Sequence, residues 1–313
     1  MTPGQCCPRC AEPVGAHDKY CEQCGARVAG QPRDRVEVDI GIAAGVSDRG
    51  RRHYRNEDAL ELRSLGGSAG SLRASGRGVV MAVVCDGVST AARPDDASET
   101  GAEVAAETLM AALRADETPA AATVEAIRAA DKAVSELAGT GQFDSSAPAC
   151  TLVSAVVAGD AITVGWVGDS RAYWIPQTAT QSAPPIRLTE DDSWLARMLA
   201  TGELSPAQAA ADRRSHTITA WLGNDAIEVA PHVRTIQPEG CGVLVICTDG
   251  LWNYLDDADE LAAVLPADAL EAPLNAAQRL VDVALRSGGR DNITVVVIPF
   301  VTQSTDPPSA EPN

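Results

Sequence analysis

Four aspartates sit at the ends of strongly apolar runs. Asp58 follows Asn56-Glu57 at the head of Ala59-Leu60-Glu61-Leu62. Asp86 follows VVMAVVC and precedes Gly87. Asp249 follows VLVICT and precedes Gly250, and Asp291 stands between Gly289-Arg290 and NITVVVI. Short apolar runs bounded by turn residues read as buried strands. An ionised carboxylate beside such a strand needs a partner. One Asp-Gly after a strand is ordinarily a turn and nothing more. Four acids in the same setting can converge, because strand ends gather at one edge of a sheet sandwich. Few lysines lie near any of them, so a cation from solution is the candidate partner. All-oxygen donors select magnesium or manganese over zinc. A fifth acid, Asp169 in WVGDSRAYW, lies between two short β runs, where a hairpin turn would be equally ordinary.

The stretch RRHYRNED at 51–58 joins this set to a basic cluster. Its acidic end, Glu57-Asp58, can serve a metal. Its basic end, with Arg52, His53 and Arg55, can hold an anion. The competing reading is a solvated strand entrance.

A second chemistry lies at the N-terminus. CPRC at 7–10 and CEQC at 21–24 are two Cys-x-x-Cys pairs ten residues apart. Cys7, Cys10, Cys21 and Cys24 match structural zinc spacing, with four thiolates closing a tetrahedron. Cys6 competes with Cys7 as a ligand, and a redox pair or two disulfides is the alternative reading. A segment this short needs such a staple to fold. Its basic and acidic residues nearly balance, which favours a protein contact or a purely structural role over nucleic acid. The remaining cysteines, Cys85, Cys150, Cys241 and Cys247, lie in apolar contexts and read as buried free thiols of a reducing compartment.

The positioning elements follow from the pattern of the rest of the chain. Its 313 residues allow one large domain and an appendage. The net charge of −18 argues against general affinity for nucleic acid or acidic membranes. No run approaches a membrane span, and no signal-peptide core opens the sequence, so a cytoplasmic location is expected. Residues 1–25 read as a zinc ribbon, 26–35 as a linker, 36–301 as the main domain and 302–313 as a disordered tail. Strands are expected over 36–47, 58–63, 79–85, 151–158, 161–167, 171–175, 227–235, 242–248 and 292–300. Helical spacing marks 97–114, the stripe Val124 to Leu137, two short segments within 193–211, and 274–286. Helices come in blocks, which suits an α+β arrangement with antiparallel sheets.

Together SDRGRRHYRNEDA (47–59), VVCDGVS (83–89), TLVSAVV (151–157), VGDSRAYW (167–174), LTEDDSW (188–194), ICTDGLW (246–252) and GGRDNITVVV (288–297) resemble the PP2C (PPM) metal-dependent serine/threonine phosphatases. The resemblance spans about residues 38–300. It implies an αββα sandwich of two antiparallel sheets flanked by helices, with two Mn²⁺ or Mg²⁺ ions at one end. It implies metal-binding roles for Asp58, Asp86, Asp249 and Asp291, and a backbone carbonyl ligand at Gly87. It gives Glu57 a hold on metal-bound water and Asp169 a link to a third metal. Residues 188–213 look like the mobile flap beside the site. The implied reaction is attack of a metal-bridged water on phosphoserine or phosphothreonine in proteins, opposing bacterial kinases.

Two departures qualify the match. His53 occupies the position of the family's phosphate-binding arginine, between Arg52 and Arg55. After Asp86 the chain reads DGVSTAARPDDAS where many members have Asp-Gly-x-Gly-Gly. The alternative function is a catalytically weak module that docks a signalling partner through the scaffold and ribbon.

Overall fold

The computed structural model describes residues 5–6, 12–14, 23, 34–66, 78–138, 147–205, 208, 212–214, 217–226 and 229–302. The four Cys-x-x-Cys thiols, most of the linker and residues 303–313 lie outside them. The appendage contributes one described hairpin, β1 (Gln5–Cys6) with β2 (Pro13–Val14).

The main body is built on two antiparallel sheets. Chain order gives β3 (Arg35–Asp39), β4 (Ala44–Asp48), β5 (Asp58–Leu65), β6 (Val79–Asp86), β7 (Leu152–Ala158), β8 (Ala161–Val167), β9 (Arg171–Pro176), β10 (Ile186–Arg187), β11 (His232–Ile236), β12 (Gly242–Cys247) and β13 (Ile293–Phe300). One sheet runs β10-β9-β12-β13-β4-β3 and the other β11-β8-β7-β6-β5. Helices α1 (Pro94–Arg114) and α2 (Pro119–Glu136) cover the five-stranded sheet. Helices α4 (Asp249–Trp252), α5 (Ala258–Val264) and α6 (Pro273–Ser287) cover the six-stranded one.

Strand alternation builds the layers. In β6, Met81, Val83 and Cys85 face α1 and α2, while Val80, Ala82 and Val84 face the other sheet. In β12, Val243, Val245 and Cys247 face α4 to α6, while Leu244 and Ile246 point inward. The inner layer is apolar on both sides, as two packed sheets require. This is the four-layer αββα arrangement expected from the motifs.

Several boundaries differ from the sequence reading. The expected strand over 36–47 is a hairpin, because Gly41 takes φ 77° and its N–H bonds Asp39 Oδ1 at 2.7 Å. The DGVSTAARPDDAS stretch is less of a loop than it reads: α1 already begins at Pro94, a favoured first helical residue. Within 193–211 one helix, α3 (Trp194–Thr201), starts on Ser193 as N-cap and stops at left-handed Gly202. The second helix expected there falls mostly outside the described residues. The strand expected at 227–235 is His232–Ile236. Cys241 is only half-buried, whereas Cys85, Cys150 and Cys247 are free and buried as expected.

Candidate metal centre

Asp58 opens β5 and Asp86 closes β6, and the two are direct cross-strand partners. Parity puts both on the inner face. Ala59 and Cys85 pack outward against the helices, so their neighbours in the strands turn toward the other sheet. Like charges directly opposite each other destabilise a strand pair. The sequence therefore places two carboxylates where only a compensating charge or a proton relieves them.

The six-stranded sheet supplies the other two acids. Asp249 begins α4, immediately after β12, and Asp291 precedes β13, which pairs with β12. The sheets are stitched at this end by Asp58 itself. Its Oδ2 accepts from Thr248 Oγ1 at 2.9 Å and from Thr294 Oγ1 at 2.7 Å. Thr248 Oγ1 also accepts the Thr294 N–H at 3.0 Å. Close approach explains Gly250: a Cβ there would lie 1.8 Å from the Asn292 carbonyl oxygen. Gly87 is equally confined, its Cβ position lying 2.5 Å from the Pro94 carbonyl and 2.7 Å from that of Glu57.

The electrostatics of Asp58, Asp86 and Asp249 are those of buried acids in one another's field. Burial pushes the Asp58 carboxyl up to about 7, against the two threonine donors and with the help of Asp291. Burial, then Asp58 and Asp249, push Asp86 well above the usual carboxylate range. Burial, then Asp291 and Asp169, do the same for Asp249. Asp58 Oδ1 is buried and has no hydrogen-bond partner among the described residues. That orphaned oxygen, among mutually repelling acids, fits a hard divalent cation. Among the described residues no three acid, thiol or imidazole side chains already close into a cage for one ion. Magnesium-type sites use one or two carboxylates and keep several waters, so the open arrangement matches the donor chemistry.

Glu57 is held beside the acids by two side chains. Its Oε1 accepts from Arg55 Nε at 2.9 Å and its Oε2 from Ser89 Oγ at 2.8 Å. His53 Nε2 lies 3.1 Å from Asp291 Oδ1, and His53 Nδ1 lies 3.9 Å from Glu57 Oε2. Arg55 also reaches Asp95 at 3.4 Å. Arg52, His53, Tyr54, Arg55, Glu57 and Arg290, with Gln23 of the appendage, line a cavity of about 700 Å³. Arg52, His53 and Arg55 thus share one space with Glu57.

Asp169 stands apart from these groups in its hydrogen bonding. Burial, then Asp191, push its carboxyl up to about 7, while Arg171 opposes them. Arg171 is clamped by Asp191 through paired contacts of 2.9 and 2.7 Å, and its guanidinium lies 3.8 Å over the Trp252 ring. Trp252 Nε1 donates to the Asp169 carbonyl at 2.9 Å. A second cavity, about 240 Å³, opens between Asp169, Ser193, Leu195, Trp252 and Asn253. It lies at the root of the 188–213 segment.

Several contributors escaped the sequence reading. Thr248 and Thr294 flank the motif aspartates but look like ordinary strand residues. Asn292 holds the site together: its Oδ1 accepts the Glu57 N–H at 2.7 Å, and its Nδ2 donates to the carbonyls of Arg49 and Arg55 at 2.8 and 3.1 Å. Arg171 carried a signal, since a charge inside a β run must be paired. Arg290 carried none beyond its place next to Asp291.

Comparison with known proteins decides the family. Residues 49–282 match the family model described as "Protein phosphatase 2C". The chain belongs to the protein phosphatase 2C family. Within it, the chain is 29% identical over 272 residues to the serine/threonine protein phosphatase PstP of Mycobacterium tuberculosis, covering 85% of this chain and 46% of that protein. This chain therefore spans about half the length of that relative. It is 28% identical over 260 residues to the serine/threonine phosphatase stp of Listeria innocua, covering 80% of this chain and 93% of the relative. The crystal structure of the PstP catalytic domain in complex with two manganese ions aligns with a TM-score of 0.58 at 25% identity, over 83% of this chain and 98% of that one. Stp1 of Staphylococcus aureus shares the fold with a TM-score of 0.65 at 20% identity, over 88% of this chain and 100% of that one.

Proposed function

We propose that this chain hydrolyses phosphoserine and phosphothreonine on proteins, opposing bacterial serine/threonine kinases. The observation that carries the reading is the cross-strand pair Asp58 and Asp86, completed by Asp249 and Asp291 from the facing sheet. Family membership and the two manganese ions of the PstP structure support it. Asp58, Asp86, Asp249 and Asp291, with the Gly87 carbonyl, would hold two Mn²⁺ or Mg²⁺ ions, and Asp169 a third. When bound, such ions neutralise charge on phosphoryl oxygens and lower the pKa of water towards ~7.

The remaining work falls to the chain. Glu57, fixed by Arg55 and Ser89, orients water at the edge of the acids. His53, Arg52 and Arg55 line the space in which the phosphate would sit. No cysteine is needed as a nucleophile, in keeping with thiols that burial holds in the protonated form at Cys85 and Cys247. Among the described residues no helix is long and apolar enough to cross a membrane; free cysteines favour the cytoplasm.

The appendage has its own proposal. Cys7, Cys10, Cys21 and Cys24 bind one structural Zn²⁺, and the ribbon contacts a protein partner. The β1–β2 hairpin beside Cys7 and Cys10 is compatible with a short metal knuckle. Metal analysis of the full chain should find one zinc, lost in Cys21→Ser.

The main test is a manganese-dependent phosphopeptide assay. Turnover that disappears in Asp249→Ala supports catalysis. Manganese binding without turnover would leave a docking module instead.

A further inference from the structure

We propose that Arg290 reads a second acidic group, carboxylate or phosphate, on the substrate segment beside the phosphorylated residue. The inference rests on the phosphatase reading and names a substrate class for it.

The backbone under Arg290 is fixed to the loop that carries the basic cluster. The Arg51 N–H donates to the Gly289 carbonyl at 2.7 Å. Asn292 Nδ2 ties the carbonyls of Arg49 and Arg55 to the same loop. Gly50, at φ 71°, lets the loops meet, since a Cβ there would lie 2.0 Å from the Asp291 carbonyl oxygen. The Arg290 N–H donates to Tyr254 Oη at 3.0 Å. Gly288 and Gly289, at φ 141° and 52°, bend the chain into this position. Arg290 is thus presented from a fixed loop directly before Asp291, on the wall of the cavity that holds His53 and Glu57.

The charges on that wall divide into two classes. Arg55 is engaged by Glu57 and Asp95, and His53 faces Asp291 and Glu57. Nearby, Arg49 is engaged by Asp34 and by the His53 carbonyl. Arg52 and Arg290 are exposed and make no ion pair with any described residue. Arg52 stands beside His53 on the loop proposed to meet the phosphate, and Arg290, on the neighbouring loop, is the cation left for a second anion. A guanidinium suits either anion, because its planar fork matches carboxylate and phosphate alike. Tyr54, 80% exposed on the same wall, offers an aromatic surface to a peptide backbone. In a chain of net charge −18, an arginine with no ion pair among the described residues also offsets repulsion of an anionic substrate.

The test uses the full chain with manganese and three phosphoserine peptides. One has neutral neighbours, one aspartate neighbours, and one a second phosphoserine. The wild type should favour the two acidic peptides through KM. Arg290→Ala should raise KM for them about five-fold more than for the neutral peptide, the size of an exposed ion pair, with kcat falling no further on the acidic peptides than on the neutral one. Arg290→Glu should reverse the preference, and 0.5 M salt should erase it. Arg51→Ala, on the neighbouring loop and not among the residues lining the cavity, controls for general charge loss. The better of the acidic peptides identifies the anion. Equal KM changes on all three peptides, equal effects of Arg51→Ala and Arg290→Ala, or no preference in the wild type overturn the inference alone. Failure of the wild type to hydrolyse any peptide overturns the phosphatase reading, and the inference with it.

Discussion

His53 Nε2 stands 3.1 Å from Asp291 Oδ1, so the residue proposed to meet the phosphate faces one of the acids proposed to hold metal. Its other ring nitrogen faces Glu57. A histidine held this way serves the acids first and an incoming anion second. His53→Arg places a permanent charge there, with a longer reach and more donors. Inorganic phosphate should then inhibit about ten-fold more strongly, equivalent to roughly 1.4 kcal/mol. Phosphate inhibition constants for the two proteins check this. An unchanged constant would show that the anion does not approach position 53.

Asp86 can be tested without any reaction. It lies opposite Asp58 on the adjacent strand and is buried among like charges. Asp86→Asn keeps the shape and removes one negative charge. In EDTA at pH 8 the variant should melt above the wild type, because cross-strand repulsion is relieved. With manganese the order should invert, since bound ions stabilise only the form that holds them. Paired thermal melts decide it. A variant less stable than wild type in EDTA would mean that Asp86 is satisfied by the protein itself.

Fold and site were legible to different depths. Strand and helix positions followed from period and punctuation, because both faces of each sheet are buried and leave long apolar runs such as VVMAVVC. The hairpin at Gly41 was lost because apolar and small residues run through it without a break. The acids were legible at strand ends, two of them as the pairs Asp86-Gly87 and Asp249-Gly250 and two as Asp58 and Asp291 at the head of apolar runs. Their supports were not: Thr248, Thr294 and Asn292 act across 46 to 236 residues of chain, a separation closed by the pairing of β12 with β13 and the packing of their sheet on the one that holds β5. His53 was placed by register, but its engagement with Asp291 depends on a loop contact that no local pattern encodes. The resemblance marks 188–213 as a flap, whereas the contact of Asp191 with Arg171 joins two stretches that carry no shared signal.

That contact makes the next prediction. Arg171 is buried, bound in parallel to Asp191, bonded to Asp256 and stacked on Trp252. Lysine keeps the charge but loses both the fork and the stacking surface. Arg171→Lys should cost about 2–4 kcal/mol, toward the range for breaking a buried pair. Urea unfolding monitored by tryptophan fluorescence measures it. A loss below about 1 kcal/mol would show that a point charge suffices.

The last prediction concerns the stitch between the sheets. Asp58 Oδ2 accepts from two threonine hydroxyls, while its Oδ1 has no partner among the described residues. Thr294→Val removes the shorter of these bonds and keeps the volume. It also leaves Ser47 Oγ, which contacts Thr294 Oγ1 at 2.7 Å, with only Asn56 Nδ2. A hydrogen bond to a charged group contributes about 1.5–3 kcal/mol. The metal-free variant should fall short of that loss, because Asp58 can keep a proton when a donor is withdrawn. With manganese the carboxylate must be ionised, so the full penalty should appear as weaker metal binding. Calorimetric titration should show a manganese Kd raised about ten-fold, or roughly 1.4 kcal/mol, beside a small change in metal-free melting temperature. Equal destabilisation with and without manganese would mean that Thr294 supports only packing.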